Sequence, residues 1–330
     1  MLKKGNKIFG ISSPRAFGDQ ALELFRLQYE RNAIYRQWVD LLKVRVSGVK
    51  TIEEIPFLPI EFFKRFEVVS EAIHNGTVKF VSSSTTSQTP SIHYVNDVSI
   101  YEESFLQGFR LFYGDPSDYC ILALLPGYLQ RGDSSLVYMF KKLMEVSGDP
   151  LNGFYLDNLD ELVSVIGTLK TSGRKTILIG VSYALLDLCE KGVELTSNFI
   201  VMETGGMKGT RKELLKPELH AILKNGFNIE EIHSEYGMTE LLSQAYSKGD
   251  GLFTAPPWMR FLVREIDDPQ RIRKDNKTGG INVIDLANIN SCAFIATKDL
   301  GRLHAGGKLE LMGRYNDSDV RGCNLMIENY

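Results

Sequence analysis

The chain has few cysteines, no long apolar run and no excess of charge of either sign, and each shortage removes a class of protein. Cys120, Cys189, Cys292 and Cys323 are its only four cysteines in 330 residues, widely spaced and without a C-x-x-C pair. They indicate neither a disulfide framework nor a zinc site, and they fit a reducing compartment. No run approaches the roughly 18 apolar residues that a membrane span needs, and Met1-Leu2-Lys3-Lys4-Gly5 leads into no apolar segment of the signal-peptide kind. A cytoplasmic location with no membrane span is therefore expected. The formal charge is -3, from 38 Lys and Arg against 41 Asp and Glu. The basic residues are dispersed, so no nucleic-acid partner is expected. No internal repeat or low-complexity tract is visible.

What is present is a core-building composition, 43% hydrophobic, enough for one large unit with subdomains or for two domains. Ile34, Trp38, Leu41 and Leu42 share a helical stripe, and residues 19–42 are expected to form one amphipathic helix. Ile55-Pro56-Phe57-Leu58-Pro59-Ile60 reads as an extended connector. From Tyr119 the texture alternates. An apolar run to Leu125 predicts a strand, and residues 134–146 have helical spacing. Asn158 and Glu161 form a capping pattern before a helix that Gly173 stops, Thr176-Ile177-Leu178-Ile179-Gly180 predicts a buried strand, and a helix follows from Ser182. This α/β alternation implies a parallel sheet, whose ligands lie beyond the carboxyl ends of the strands. After Gly279 three strand-like segments separated by turn residues predict an antiparallel sheet or small barrel. Residues 264–277 read as a solvated charged loop.

Ser82-Ser83-Ser84-Thr85-Thr86-Ser87 places six hydroxyls in a row after the strand-like Val78-Lys79-Phe80-Val81. Such a loop suits a polyphosphate, because hydroxyls and backbone N–H groups can converge on it; it is equally what a solvated turn looks like. Tyr236-Gly237-Met238-Thr239-Glu240 follows another strand-like run and presents a ring, a hydroxyl and a carboxylate together. Glu203-Thr204-Gly205-Gly206 would let backbone approach a flat ligand. Asp299 and Arg314 are expected in turns. Taken singly, each has a plain structural explanation: a turn for Gly205-Gly206 and Asp299, a surface cation for Arg314. His93 and His233 are either satisfied strand histidines or, for His93, a group facing phosphate. Trp258 either lines an acyl pocket or anchors structure. Cys120, Cys189 and Cys292 sit in apolar runs and are expected in the core.

In this order and at these intervals the motifs resemble those of the adenylate-forming superfamily of acyl- and aryl-CoA ligases. The chain is more closely similar to the acyl-protein synthetase (LuxE) family of the bacterial bioluminescence fatty acid reductase. That resemblance extends over Ile52-Glu53-Glu54-Ile55-Pro56 with Phe62-Phe63-Lys64, the hydroxyl loop, Ile177-Leu178-Ile179-Gly180, Thr204-Gly205-Gly206, Pro256-Pro257-Trp258, Phe294-Ile295-Ala296-Thr297 with Asp299, and Arg321-Gly322-Cys323.

The resemblance implies an α/β adenylate-forming large-domain fold, with sheets flanked by helices, a small β-barrel-like subdomain and no C-terminal lid domain. It implies one adenylation core over 1–330, with an N-terminal helical and phosphate-loop region (1–115), a parallel sheet (116–245) and a strand-rich part with a tail (246–330). The implied reaction is ATP- and Mg²⁺-dependent activation of a carboxylic acid, fatty by family, to an acyl-adenylate. The acyl group then passes to Cys323 and on to a partner such as an acyl reductase. Ser83, Thr85 and Thr86 would hold the β- and γ-phosphates, Gly205 and Gly206 would border the adenine, and Tyr236 would stack on it. Thr239 would bind the α-phosphate, Glu240 the Mg²⁺, and Asp299 the ribose hydroxyls, with Arg314 beside it. Ser84, Ser87 and Ser91 depart from the superfamily loop, which carries glycines and a lysine there, and with no lid domain expected no counterpart of the lid lysine is expected either. Two further readings stay open: a coenzyme A ligase-type enzyme without its lid, and a nucleotide or acyl carrier without turnover.

Overall fold

The computed structural model describes residues 8–82, 89–125, 132–155, 158–205, 214–266, 268, 270–273 and 277–315. The strands are β1 (Leu58–Pro59), β2 (Val78–Val81), β3 (Ile92–Val95), β4 (Cys120–Leu124), β5 (Gly153–Tyr155), β6 (Thr176–Val181) and β7 (Phe199–Thr204). They continue with β8 (Ile232–Tyr236), β9 (Ala245–Ser247), β10 (Leu252–Phe253), β11 (Met259–Arg264), β12 (Gly279–Asp285), β13 (Phe294–Leu303) and β14 (Leu309–Arg314).

The larger layer is a six-stranded sheet in the order β5-β4-β6-β7-β8-β9, parallel except for β9. Every residue of β4 and β6 is buried, as expected of strands covered on both faces. Crossover helices Ser135–Ser147, Leu159–Ser172, Ser182–Glu190 and Lys216–Phe227 connect the parallel strands. The Asn158 side chain caps its helix by accepting from Glu161 N, and the helix closes on Gly173. Helix Val98–Tyr113 buries Tyr101, Phe105 and Phe109 at four-residue spacing.

The second layer is antiparallel, β10-β14-β13-β12-β11, with β1 adding a parallel pairing to the first half of β13. The expected connector thus contributes a short strand, Leu58 facing Ile295. A separate hairpin, β2-β3, presents the hydroxyl loop: Ser82 N donates to Ser91 O (3.0 Å) and Ser91 N to Ser82 Oγ (2.8 Å), closing its stem. One hydrophobic cluster joins both layers.

Three expectations need correction. The helix over 19–42 is two helices, Pro14–Arg31 and Ala33–Leu41, because Asn32 is extended and acts at both ends. Its backbone N–H caps the first helix, its side chain accepts from Tyr35 N, and its Nδ2 donates to the buried Ser291 O. Asp299 and Arg314 lie in strands rather than turns; they are direct cross-strand partners on β13 and β14, beside a bulge at Leu300/Gly301. A Cβ on Gly301 would overlap Glu310 O, so glycine permits the close approach there. Arg264, expected in a solvated loop, is a buried residue of β11, its Nη2 donating to Thr297 O and to the Tyr315 hydroxyl, both at 2.7 Å.

Candidate active site

β8 ends at Tyr236, and the turn that follows carries Thr239 and Glu240 beyond the carboxyl edge of the parallel sheet. Tyr236 is buried, its ring edge-on to Phe253 and Phe261, and its hydroxyl crosses to the second layer to donate to Asp299 Oδ2 (2.8 Å). Arg314 Nε donates to the other oxygen, Asp299 Oδ1, at 2.7 Å. The Asp299 side chain is 5% exposed and that of Arg314 66%, so the guanidinium bridges a buried carboxylate to solvent. Thr297 Oγ1 accepts from Asp299 N (3.1 Å) and orients the strand at this point. The three groups, 63 and 15 residues apart in sequence, form one hydrogen-bonded line.

Glu240 is buried, and burial raises its carboxyl pKa, opposed by the Ser91 hydroxyl and the charge of Arg314. Ser91 closes the stem of the β2-β3 hairpin, so that stem and the carboxylate share one locality. His93, two residues on, sets its Nδ1 2.8 Å from Thr239 O. A carbonyl only accepts, so Nδ1 carries the proton and Nε2 is a bare acceptor. Burial pushes His93 down to about 4, which keeps it neutral.

The turn holding Thr239 and Glu240 is fixed from the second layer. Asp285, fully buried at the end of β12, accepts from Leu242 N (2.8 Å), Ser243 N (2.9 Å), Ser243 Oγ (2.6 Å) and Ala287 N (3.1 Å). Asn288 Nδ2 donates to Glu240 O at 2.7 Å. Trp258 Nε1 lies 3.0 Å from both Ser104 Oγ and Ser243 Oγ and is buried, an anchor of the same turn. Asp285 and Asn288 escaped the sequence reading. Their one signal is the acid that ends the run Ile281-Asn282-Val283-Ile284-Asp285 and the amide Asn288 three residues on.

Gly205 follows β7 and its carbonyl accepts from Ser182 Oγ (3.2 Å). Behind it, Glu203 forms a buried cluster with Lys216 and His220. Burial pushes the Glu203 carboxyl up, but Lys216 and hydrogen bonds from His220, Lys216 and Ser234 outweigh that and hold it at about 2. Ser83, Thr85, Thr86, Gly206 and Cys323 lie outside the described residues. Cys120 and Cys292 are buried and Cys189 is half-buried. Among the described residues, no group of three or more His, Cys, Asp or Glu could hold a metal ion, and no helix is long and apolar enough to cross a membrane.

No family model matches the chain, and no curated protein matches it in sequence. Solved structures do resemble it. ATP-bound MatB from Rhodopseudomonas palustris superposes with a TM-score of 0.55 at 15% identity, over 72% of this chain and 47% of that one. A 2-hydroxyisobutyryl-CoA ligase, in an open conformation with 2-HIB-AMP and CoA, gives 0.67 at 13% identity, over 92% and 70%. The luciferase-like enzyme of the nonluminescent Zophobas morio mealworm gives 0.52 at 14%, over 77% and 61%. The chain thus spans about half the length of MatB. At such identities the likeness shows the fold, the α/β large-domain fold of adenylate-forming enzymes.

Proposed function

We propose that this chain activates a carboxylic acid with ATP, forming an acyl-adenylate and pyrophosphate. The observation that carries the reading is the convergence of Tyr236, Asp299 and Arg314 in one hydrogen-bonded line beside Glu240. The solved structures with this fold include MatB holding ATP and a CoA ligase holding 2-HIB-AMP, which adds support. In this reading Asp299 accepts from the ribose hydroxyls and Arg314 steadies it. Tyr236 and Gly205, with Gly206, border the adenine, and Thr239 meets the α-phosphate. Ser83, Thr85 and Thr86 take the β- and γ-phosphates.

Mg²⁺ characteristically binds through one or two carboxylates plus substrate phosphates rather than in an all-protein cage. A single carboxylate, Glu240, with the Ser91 hydroxyl beside it is a donor set of that kind. Glu240 would hold the ion, which would supply charge neutralisation at the phosphates. The protein's own share is positioning: His93, Asp285 and Asn288 fix the turn so that Thr239 and Glu240 are placed before the nucleotide arrives.

The Cys323 thiolate then attacks the acyl carbon, forming a thioester and releasing AMP, and the acyl group passes on to a partner such as an acyl reductase, as in the acyl-protein synthetases. Incubation with ATP, Mg²⁺ and a panel of acids should release pyrophosphate and leave a covalent acyl adduct by intact mass, absent in Cys323→Ser. Pyrophosphate release with no adduct, and acyl-CoA formed when coenzyme A is added, would move the acceptor to coenzyme A. No release with any acid would leave a carrier.

A further inference from the structure

Opposite Tyr236, on the other face of β8, a second polar cluster has no part in the nucleotide site. Glu235 is 6% exposed and its Oε2 accepts from Thr204 Oγ1 at 2.5 Å. Its Oε1 has no hydrogen-bond partner among the described residues. No cation pairs with it there either; Lys216 is committed to Glu203. Gln244 is also 6% exposed, and its Oε1 is buried without a partner. Both side chains border Gly237, where a Cβ would overlap Glu235 Oε1 and lie 3.4 Å from Gln244 Cγ. Gly237 itself is exposed and is two residues from Thr239.

The neighbouring phenols do not satisfy the carboxyl. Tyr101 donates to Ser135 O (2.9 Å), and the Tyr113 hydroxyl is 3.2 Å from His233 Nδ1. Two side chains with a free acceptor, one an acid and one an amide, thus border the same exposed glycine at the carboxyl end of β8. Of the two, Gln244 Oε1 is fully buried, and a buried acceptor left unmade costs about 1–3 kcal/mol and calls for an explanation in a native fold. The carboxyl ends of parallel strands are where α/β sheets bind ligands.

We propose that Glu235 and Gln244 form the polar end of the acid-binding site. The acid this chain takes then carries a hydrogen-bond donor, a hydroxyl or amino group, rather than an unsubstituted alkyl chain. The inference rests on the adenylation reading for the identity of the ligand as an acid, and it narrows that reading away from plain fatty acids. The donor would hydrogen-bond Gln244 Oε1 and, with the carboxyl ionised, Glu235 Oε1, two acceptors without a partner among the described residues. A site built to accept a hydrogen bond discriminates strongly against the analogue that cannot donate one.

The test is calorimetric binding, at pH 8, of short alkanoic acids and their hydroxy and amino counterparts to the full chain with Mg²⁺ and a nonhydrolysable ATP analogue. The substituted acid of either kind should bind at least about tenfold tighter than its alkyl match. Glu235→Leu and, independently, Gln244→Leu should shrink that ratio towards one, while Glu235→Gln, which keeps an acceptor oxygen, should retain part of it. Equal or tighter binding of the alkyl acid to the native chain overturns the proposal. So does an unchanged ratio in both Leu variants, or binding of no acid at all. Pyrophosphate release, followed in parallel with ATP, reports on the reaction separately: selective binding without release would sink adenylation and leave the polar site standing.

Discussion

Burial holds the Glu235 carboxyl at about 7 against an ordinary value near 4.5; Thr204 and Lys216 pull it down and the charge of Glu203 pushes it up. Tyr101 and Tyr113 on the covering helix and Tyr246 on β9 also face it, all neutral in this range. A raised carboxyl favours the folded state only while it is protonated. Its contribution is complete below pH 4.5, declines as the unfolded chain ionises, and is gone above about 7. Between those limits the loss amounts to about 3 kcal/mol. Glu203, held at about 2, works in the opposite sense but only in acid, losing its contribution as pH falls through that value. Glu235→Gln should therefore raise the denaturant midpoint over the native chain at pH 8 and lose that advantage by pH 5. Parallel pH profiles for the two proteins would contradict the assignment. Tyr236, Asp299 and Arg314 were legible in the sequence because the motif spacing points to them. Glu235 was not, since its significance lies in a missing cation and a bordering Gln244, which only tertiary contacts decide.

At the scale of elements, period and caps carried most of the parallel sheet. β4, β6 and the helices from Ser135 and Leu159 follow from apolar runs, Asn158 and Gly173. The misreadings have tertiary causes. Asn32 breaks a continuous stripe because its amide is drawn to Ser291 O, 259 residues away. Asp299, which looks like a turn residue, stays in β13 because the bulge at Leu300/Gly301 and the Arg314 pairing hold it there. The turn after β8 shows the same dependence. Asp285 satisfies two of its backbone N–H groups and a hydroxyl from a different sheet. Asp285→Ala strands these donors in the interior and should destabilise the chain by about 3 kcal/mol. Because it frees the segment bearing Thr239 and Glu240, nucleotide binding should weaken in the population that still folds. Chemical denaturation and nucleotide titration read the two effects; a change below about 0.5 kcal/mol would show that the turn holds itself.

Across the whole molecule, two sheets of different character meet at one line of polar residues. The parallel sheet brings Tyr236, Thr239 and Glu240 to its carboxyl edge, the hairpin brings Ser91 and His93, and the antiparallel sheet supplies Asp299 and Arg314. Segments up to 146 residues apart are thus tied directly to one another by hydrogen bonds, the Asp299–Arg314 ion pair among them. That arrangement favours a preformed site, since little ordering remains to be done when a ligand binds. On the opposite face of β8, Glu235 and Gln244 lie within the same layer but away from that line. The most direct test is a crystal structure of the chain with Mg²⁺ and ATP or a nonhydrolysable analogue. The account predicts the ribose hydroxyls on Asp299 and the phosphates running from Thr239 towards the hydroxyl loop, with the metal at Glu240. A nucleotide bound elsewhere on the molecule, with Tyr236, Asp299 and Arg314 untouched, would contradict it.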